Sequence, residues 1–89
     1  MAIIITYDLD SKHTVFKEAM FKLGYKDHAS GLTCKKIYFP NTTLYHSSKD
    51  SVTAREDAKN IAKKLEIELE RCIATKWSNW AAICGEEFK

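Results

Sequence analysis

The chain has 89 residues, of which 45% are hydrophobic and 29% are charged, and its formal net charge is +2. This length predicts a single domain, 1–89, and the composition is typical of a globular protein rather than a disordered one. A net charge so close to zero excludes a protein that attracts nucleic acid by its overall field. Any such binding would depend on local clusters of lysine.

Cysteine usage and hydropathy indicate a cytoplasmic protein that does not enter a membrane. The three cysteines, Cys34, Cys72 and Cys84, form no CxxC pair, whereas small secreted domains use denser, even-numbered sets. We therefore expect reduced thiols that serve as small buried hydrophobic residues. No apolar run approaches the roughly 20 residues that a membrane-spanning helix needs, and the apolar start is too short for a signal peptide.

The first two elements are predicted from their apolar periodicity. Ala2–Leu9 is β-branched and apolar on both faces, which predicts a central strand. From His13 to Leu23 the apolar residues recur at spacings of three and four, which predicts a helix. Gly24 follows the last apolar position of this helix and is placed to cap it.

A hairpin is predicted in the middle of the chain. Two β-prone runs, Thr33–Phe39 and Thr42–His46, flank the pair Pro40-Asn41. Proline and asparagine both favour turns, so the two runs are expected to pair with each other.

The second helix and the strands after it complete the series. Thr53-Ala-Arg-Glu56 is typical of a capping box and predicts the start of a helix. We place the end of this helix between residues 65 and 70, where helical and strand-like periodicity overlap. A strand follows at Arg71–Lys76, and Ser78-Asn79 forms a turn before a short extra strand at Trp80–Cys84.

The order strand, helix, strand, strand, helix, strand predicts an α+β, ferredoxin-like βαββαβ fold. In it, both helices cover one face of an antiparallel four-stranded sheet, and the first and last main strands lie side by side. On the other face we expect Ile4, one of Ile37 and Phe39, and one of the tryptophans. Small domains commonly cover such an apolar face with a second copy, so a homodimer is expected.

Two segments resemble a known family. Ile3-Ile-Ile-Thr-Tyr-Asp-Leu9 ends a strand in Tyr-Asp-Leu before a helix, and Ile73-Ala-Thr-Lys-Trp-Ser-Asn-Trp80 is a strand followed by Asn-Trp. They resemble the small CRISPR-associated endonuclease-like proteins and their relatives in the virulence-associated protein D group. The resemblance implies a ferredoxin-like homodimer in which Asp8 lies near the dimer axis. There, two copies share a divalent metal and hydrolyse nucleic acid. The basic cluster that commonly follows this acid is reduced here to Lys12.

Asp8 and Asp10 are the predicted catalytic carboxylates, with Asp8 as metal ligand. Two carboxylates at a strand end suit Mg²⁺, which prefers oxygen ligands, and the nearby His13 is the predicted proton carrier. The alternative is that Asp8, Asp10 and Ser11 form a turn and cap the first helix, and that His13 is exposed in its first turn. No histidine or cysteine spacing suits zinc, so a zinc site is not expected.

Lysines and aromatic residues are the predicted binding residues. The nucleic-acid contacts are predicted at Lys12, Lys35 and Lys36, and the interface residues at Tyr38, Tyr45, Trp77 and Trp80. Basic side chains with aromatic rings suit a surface that follows phosphates and stacks bases. The alternative is a solvated helix face, because acidic residues are interleaved, with the tryptophans as core or interface anchors.

Two hypotheses of function follow from these residues. The first is a Mg²⁺-dependent nuclease, or a nuclease-derived protein that binds nucleic acid. The second is a non-catalytic protein–protein interaction module, which the near-neutral net charge favours.

Overall fold

The structure, a computed structural model, describes residues 2–29 and 37–77. Its elements in chain order are β1 (Ile3–Leu9), α1 (His13–Lys22), β2 (His28–Ala29), β3 (Ile37–Tyr38), β4 (Thr43–His46), α2 (Ser51–Lys64) and β5 (Leu69–Lys76). The protein is therefore of the α+β class, as predicted. Within these two ranges, neither helix has the length and apolar content that crossing a membrane requires.

β1 is the central strand of a three-stranded antiparallel sheet with the order β4–β1–β5. Ile5 of β1 lies opposite Leu44 of β4 and opposite Ala74 of β5. The run of β-branched residues in β1 suits this position, because their side chains pack well on a pleated surface. The predicted central position of the first strand, beside the last main strand, is confirmed.

Both helices pack on one face of this sheet, which we call the covered face. The buried side chains of this face and of the two helices form a single cluster. It includes Ile3, Ile5, Tyr7 and Leu9 of β1, Phe16 and Met20 of α1, Leu44 of β4, and Ala54, Ala58 and Ala62 of α2. The three alanines repeat every four residues, so they lie in one row and let α2 approach the strands closely. The prediction of two helices on one face is confirmed.

The predicted hairpin forms its turn but not its strand pairing. The Thr43 N–H donates to the Pro40 carbonyl at 3.0 Å, which closes the turn. However, β3 pairs with β2, whereas β4 pairs with β1. The Phe39 N–H bonds to the Asp27 carbonyl at 2.9 Å, so the chain enters the turn from one sheet and leaves it in the other. The predicted pairing is wrong, and residues 33–36 of its first run lie outside the described ranges.

A single four-stranded sheet is not found in residues 2–29 and 37–77. These residues form the three-stranded sheet and a separate two-stranded sheet, β2–β3. Lys26 and Tyr45 exchange two backbone hydrogen bonds of 2.8 Å at the outer edge of β4, where the fourth strand was predicted. Lys26 lies outside the predicted strand Thr33–Phe39 and makes only this one bridge, because the chain then pairs with β3. The predicted last strand, 80–84, lies outside the described ranges.

The N-terminus of α2 differs from the predicted capping box. Asp50 is the N-cap, and its Oδ1 accepts a hydrogen bond from the Thr53 N–H at 2.7 Å. Asp50 thus accepts from the Thr53 N–H, the donor that the predicted box assigns to the Glu56 carboxylate, and the helix begins at Ser51, before Thr53. The same bond lowers the pKa of Asp50. Glu56, the other half of the predicted box, instead accepts a hydrogen bond from Arg55 at 3.0 Å.

The C-terminus of α1 is capped by Gly24, as predicted. Gly24 has φ 95°, in the left-handed region that favours glycine. The Tyr25 N–H then donates to the Met20 carbonyl at 3.3 Å, which closes the last turn. A Cβ atom on Gly24 would lie 2.9 Å from Nε2 of His46, so the close packing against this ring also requires glycine.

The C-terminus of α2 uses the same geometry without glycine. Glu66 has φ 58°, and the Ile67 N–H donates to the Ala62 carbonyl at 2.8 Å. The helix therefore ends at Lys64, just before the predicted interval, and β5 begins at Leu69, two residues before its predicted start.

Candidate functional site

The predicted catalytic carboxylates, Asp8 and Asp10, have different partners. Oδ2 of Asp8 accepts a hydrogen bond from Nε of Arg71 at 2.6 Å, in an exposed ion pair. Oδ1 of Asp10 accepts from the backbone N–H of Glu68 at 3.0 Å, and the Asp10 N–H donates to the Glu68 carbonyl at 3.2 Å. These two hydrogen bonds of Asp10 connect the end of β1 to the residue just before β5.

The alternative role of these acids, capping α1, is wrong. The N-cap is Lys12, which adopts φ 54° and makes no side-chain cap bond. Its Nζ instead donates to the Leu65 carbonyl at 3.1 Å, at the C-terminus of α2, where a cation is stabilised by the helix dipole. Lys12 thus has an intramolecular partner, and the other predicted nucleic-acid contacts, Lys35 and Lys36, lie outside the described ranges.

The donors of a single chain do not fit the predicted Mg²⁺ site. In the described part of the chain, no three His, Cys, Asp or Glu residues are grouped so that they could hold a metal ion. Asp8 supplies one carboxylate, which Arg71 already neutralises, whereas Mg²⁺ takes several oxygen ligands in octahedral geometry. A site at Asp8 stays a prediction that requires ligands beyond the described residues of one chain.

The predicted proton carrier, His13, is exposed and lines a cavity beside α1. This cavity of about 290 Å³ is also lined by Tyr7, Lys17, Asp27 and Asn41, but not by Asp8 or Asp10. Burial, with a smaller effect of Asp27, raises the pKa of Tyr7 to about 12, so its phenol stays neutral near pH 7. The structure therefore places His13 near a neutral hydroxyl and a carboxylate rather than beside the predicted catalytic pair.

The sheet face opposite the helices, which we call the open face, is almost neutral and partly apolar. Its side chains are Ile4, Thr6 and Asp8 of β1, Thr43 and Tyr45 of β4, and Arg71, Ile73 and Thr75 of β5. Ile73 is 67% exposed. The two charged members of this set are the ones that form the Asp8–Arg71 ion pair. No described element covers this face.

Three aromatic rings, Phe39, Tyr45 and Trp77, meet beside the open face and form what we call the aromatic cluster. The ring of Trp77 lies 5.0 Å from that of Tyr45 and 5.3 Å from that of Phe39, both edge to face. The Trp77 N–H donates to the Ala2 carbonyl at 3.0 Å, which holds this residue beside the start of β1. All three side chains are half-buried. The expectation that Phe39 and a tryptophan lie on this side is confirmed.

The structure brings together only part of the predicted interface set. Tyr45 and Trp77 meet in the aromatic cluster, whereas Tyr38 packs against His28, with ring centres 5.7 Å apart. Trp80 lies outside the described ranges. Ile37, the alternative to Phe39 on the open face, is buried.

A polar cluster that no sequence pattern indicated lies between α2 and the chain after α1. The Tyr25 hydroxyl donates to Oδ2 of Asp57 at 2.8 Å, and Lys49 bonds to the same oxygen. Burial and the bond to Asp57 raise the pKa of Tyr25. The three residues come from separate segments, so no spacing in the sequence identifies them. The hydrogen bond and the ion pair of Asp57 connect α2 to the segments that contain Tyr25 and Lys49, so the cluster has a structural role.

Cys72 behaves as predicted for a structural cysteine. It is half-buried on the covered face of β5 and packs against the core cluster. Burial raises the pKa of its thiol, which keeps the sulfur protonated and poorly nucleophilic. Cys34 and Cys84 lie outside the described ranges.

Comparison with known proteins finds no matching family model, no matching curated protein and no matching solved structure.

Proposed function

We propose that this protein is a non-catalytic interaction module that pairs with a second copy of itself through the open face. The observation that carries this proposal is the strongly exposed Ile73 on the edge strand β5 of that face, together with the aromatic cluster that includes Tyr45 of β4. Exposed apolar groups that form a continuous patch favour contact with another protein surface. A second copy presents the same patch, so the two faces match by symmetry.

The charge distribution supports a protein partner over a nucleic acid on this face. Of the three strands of the open face, only β5 carries a cation, Arg71, which is already paired with Asp8, and Lys26, opposite Tyr45 at the edge, adds a single further one. The other basic residues of the described segments lie largely on the helices, for example Lys22, Lys59 and Lys64. A nucleic-acid surface needs several cations that can replace the counterions of the phosphates, and the open face lacks them.

The proposed fold is ferredoxin-like, which suits this mode of pairing. The order β4–β1–β5 and the helices on one face agree with this fold, and the Lys26–Tyr45 bridge lies where its fourth strand belongs. In such a domain one side of the sheet is free, so two copies bury their apolar faces when the sheets stack, at a spacing of about 10 Å.

The dimer is tested by a matched pair of variants. Ile73→Lys introduces a charge on the open face of β5, and Val52→Lys introduces the same charge at a similarly apolar, exposed position on α2. Sedimentation equilibrium should show a dimer for the wild type and for Val52→Lys. For Ile73→Lys the dissociation constant should rise at least about tenfold, because the charge would be buried in the interface. A wild-type protein that stays monomeric over the whole concentration range would contradict the proposal.

The absence of catalysis is tested separately. The protein is incubated with labelled RNA and DNA, with and without Mg²⁺, at two salt concentrations. We expect no cleavage, because the Asp8 carboxylate is paired with Arg71 and the Asp10 carboxylate accepts a hydrogen bond from the Glu68 N–H. Cleavage that requires Mg²⁺ and disappears in Asp8→Asn, with folding intact by circular dichroism, would establish the nuclease instead.

A further inference from the structure

The outer edge of β5 carries a row of backbone groups that are oriented away from the sheet. In an antiparallel strand, alternate residues bond to the same neighbour. The Trp77 N–H donates to Ala2, so Thr75 and Ile73, two and four residues earlier, also bond to β1. Cys72 and Ala74 therefore direct their N–H and C=O groups to the outer edge. Within residues 2–29 and 37–77, no strand pairs with this edge.

A groove runs along this edge between β5 and α2, which we call the β5 groove. It has a volume of about 530 Å³; its floor is formed by Ala62, Ile67, Leu69 and Cys72, and its rim by Arg55, Lys59, Lys63, Glu70 and Arg71. Three cations of α2, together with Arg71, which is paired with Asp8, thus surround an apolar floor with the carboxylate of Glu70 among them. An unpaired strand edge beside such a groove can accept an added strand from a binding partner.

The cations of this rim are only partly neutralised within the chain. Arg55 and Lys59 share one carboxylate, Glu56, at 3.0 and 3.6 Å. Lys63 has no ion-pair partner in the described part of the chain. The row Arg55, Lys59, Lys63 repeats every four residues, so the three side chains lie along one side of α2. Their combined positive charge disfavours a second copy of α2 at this edge and favours an acidic partner.

We propose that the outer edge of β5 binds an extended acidic segment of another protein as an added β-strand. Main-chain hydrogen bonds to Cys72 and Ala74 would hold the segment, and glutamates on its helix side would reach the cations of α2. Glutamate suits the groove because its aliphatic stem packs on the apolar floor while the carboxylate reaches the rim. This surface shares only Arg71 with the open face, so the inference goes beyond the proposed function and holds whether or not the protein dimerises.

The probe is a fluorescein-labelled peptide of alternating glutamate and valine, eight residues long, with a lysine–valine peptide of the same length as its control. Fluorescence anisotropy should show saturable binding of the glutamate peptide that weakens as salt is added, and at least about tenfold weaker binding of the lysine peptide. Equal affinities for the two peptides, or no binding of either, would overturn the proposal.

Two adjacent lysines provide matched variants. Lys63 lines the β5 groove, whereas Lys64 lines a different groove between α1 and α2. Lys63→Glu and Lys64→Glu change the net charge and the last turn of α2 equally, so they affect folding similarly. We expect Lys63→Glu to weaken binding of the glutamate peptide about tenfold and Lys64→Glu to leave it nearly unchanged. An equal loss in both variants would show that the peptide is attracted by the overall charge of the protein, and it would overturn the proposal that the peptide binds at the β5 groove.

Amide hydrogen exchange by NMR tests the strand addition itself. In the free protein the Ile73 and Thr75 amides should be protected and the Cys72 and Ala74 amides should exchange quickly. Saturation with the glutamate peptide should protect Cys72 and Ala74. If these two amides are already protected in the dilute free protein, the edge is occupied by the chain itself, and if protection grows with protein concentration, it is occupied by a second copy. Either result overturns the proposal.

Discussion

Alternate residues of β1 form the two faces of this strand, and the two faces differ in burial. Ile5 is fully buried under both helices, whereas its neighbour Thr6 on the opposite face is exposed. The covered face holds the folded chain together, and the open face contributes little to that stability. The contrast shows that the exposed apolar groups of the open face, Ile73 above all, contribute little to folding, and this is the basis for proposing that they contact a partner.

The largest expected effect comes from truncating isoleucine on each face. Ile5→Ala should lower the free energy of unfolding by about 4 kcal/mol, because it leaves a cavity in a fully packed core. Ile73→Ala should lower it by less than about 1 kcal/mol when the protein is dilute enough to be monomeric. Urea denaturation of both variants measures the difference. Similar losses would show that the open face is covered within the monomer.

Alkaline pH should also separate the faces. The pKa of Tyr7 is raised from 10 to about 12 in the folded protein, so stability is complete below pH 10 and falls as the pH rises from about 10 to 12. The loss from Tyr7 is about 3 kcal/mol. Tyr7→Phe should reduce this alkaline loss, although the raised pKa of Tyr25 leaves part of it. Tyr45→Phe is the control on the open face, and an equal reduction in both variants would contradict the assignment.

A smaller effect is expected at the end of α1, beneath the covered face. Gly24→Ala should destabilise the protein by about 2 kcal/mol, because the left-handed backbone and the ring of His46 both oppose a Cβ atom. Thermal unfolding measures the change. Glu66→Gly, at the corresponding position after α2, is the converse control and should be neutral or slightly stabilising. A neutral Gly24→Ala would show that the His46 ring moves aside and that the backbone relaxes from its left-handed conformation without cost.

The smallest effects distinguish the two acids at the end of β1. Asp10→Ala removes the acceptor of the Glu68 N–H and should cost about 1 kcal/mol. Asp8→Ala removes an exposed ion pair with Arg71 and should leave the unfolding temperature almost unchanged. A large loss in Asp8→Ala would show that this pair is structural, which would weaken any interpretation of Asp8 as a functional residue.

Periodicity predicted the helices, the central strand and the class of the fold, because these depend on local patterns that burial then reinforces. The pairing of β3 could not be predicted, since it depends on which of two sheets the chain joins after Asp27. The start of α2 was misplaced because the carboxylates of Asp50 and Glu56 are both placed to accept from the Thr53 N–H, and the structure uses Asp50, while Glu56 accepts from Arg55.

The candidate site was predicted only in part. Tyr45 and Trp77 were singled out as aromatic residues and do come together. The β5 groove was not predicted, because it depends on how far the small residues of α2 let the helix approach the strand. The partner of Asp10 is 58 residues away in sequence, and no local pattern identifies such a bond.

The central position of β1 has a consequence for synthesis. This strand is translated early, but it bonds to β4 and, 63 residues after Asp8, to Arg71 in β5. Until β5 leaves the ribosome, one side of β1 lacks its partner and its isoleucines remain without a finished core. Chains dominated by such distant contacts fold slowly, and they expose aggregation-prone strands until folding is complete. We therefore expect nascent chains that stall before β5 to need chaperone protection.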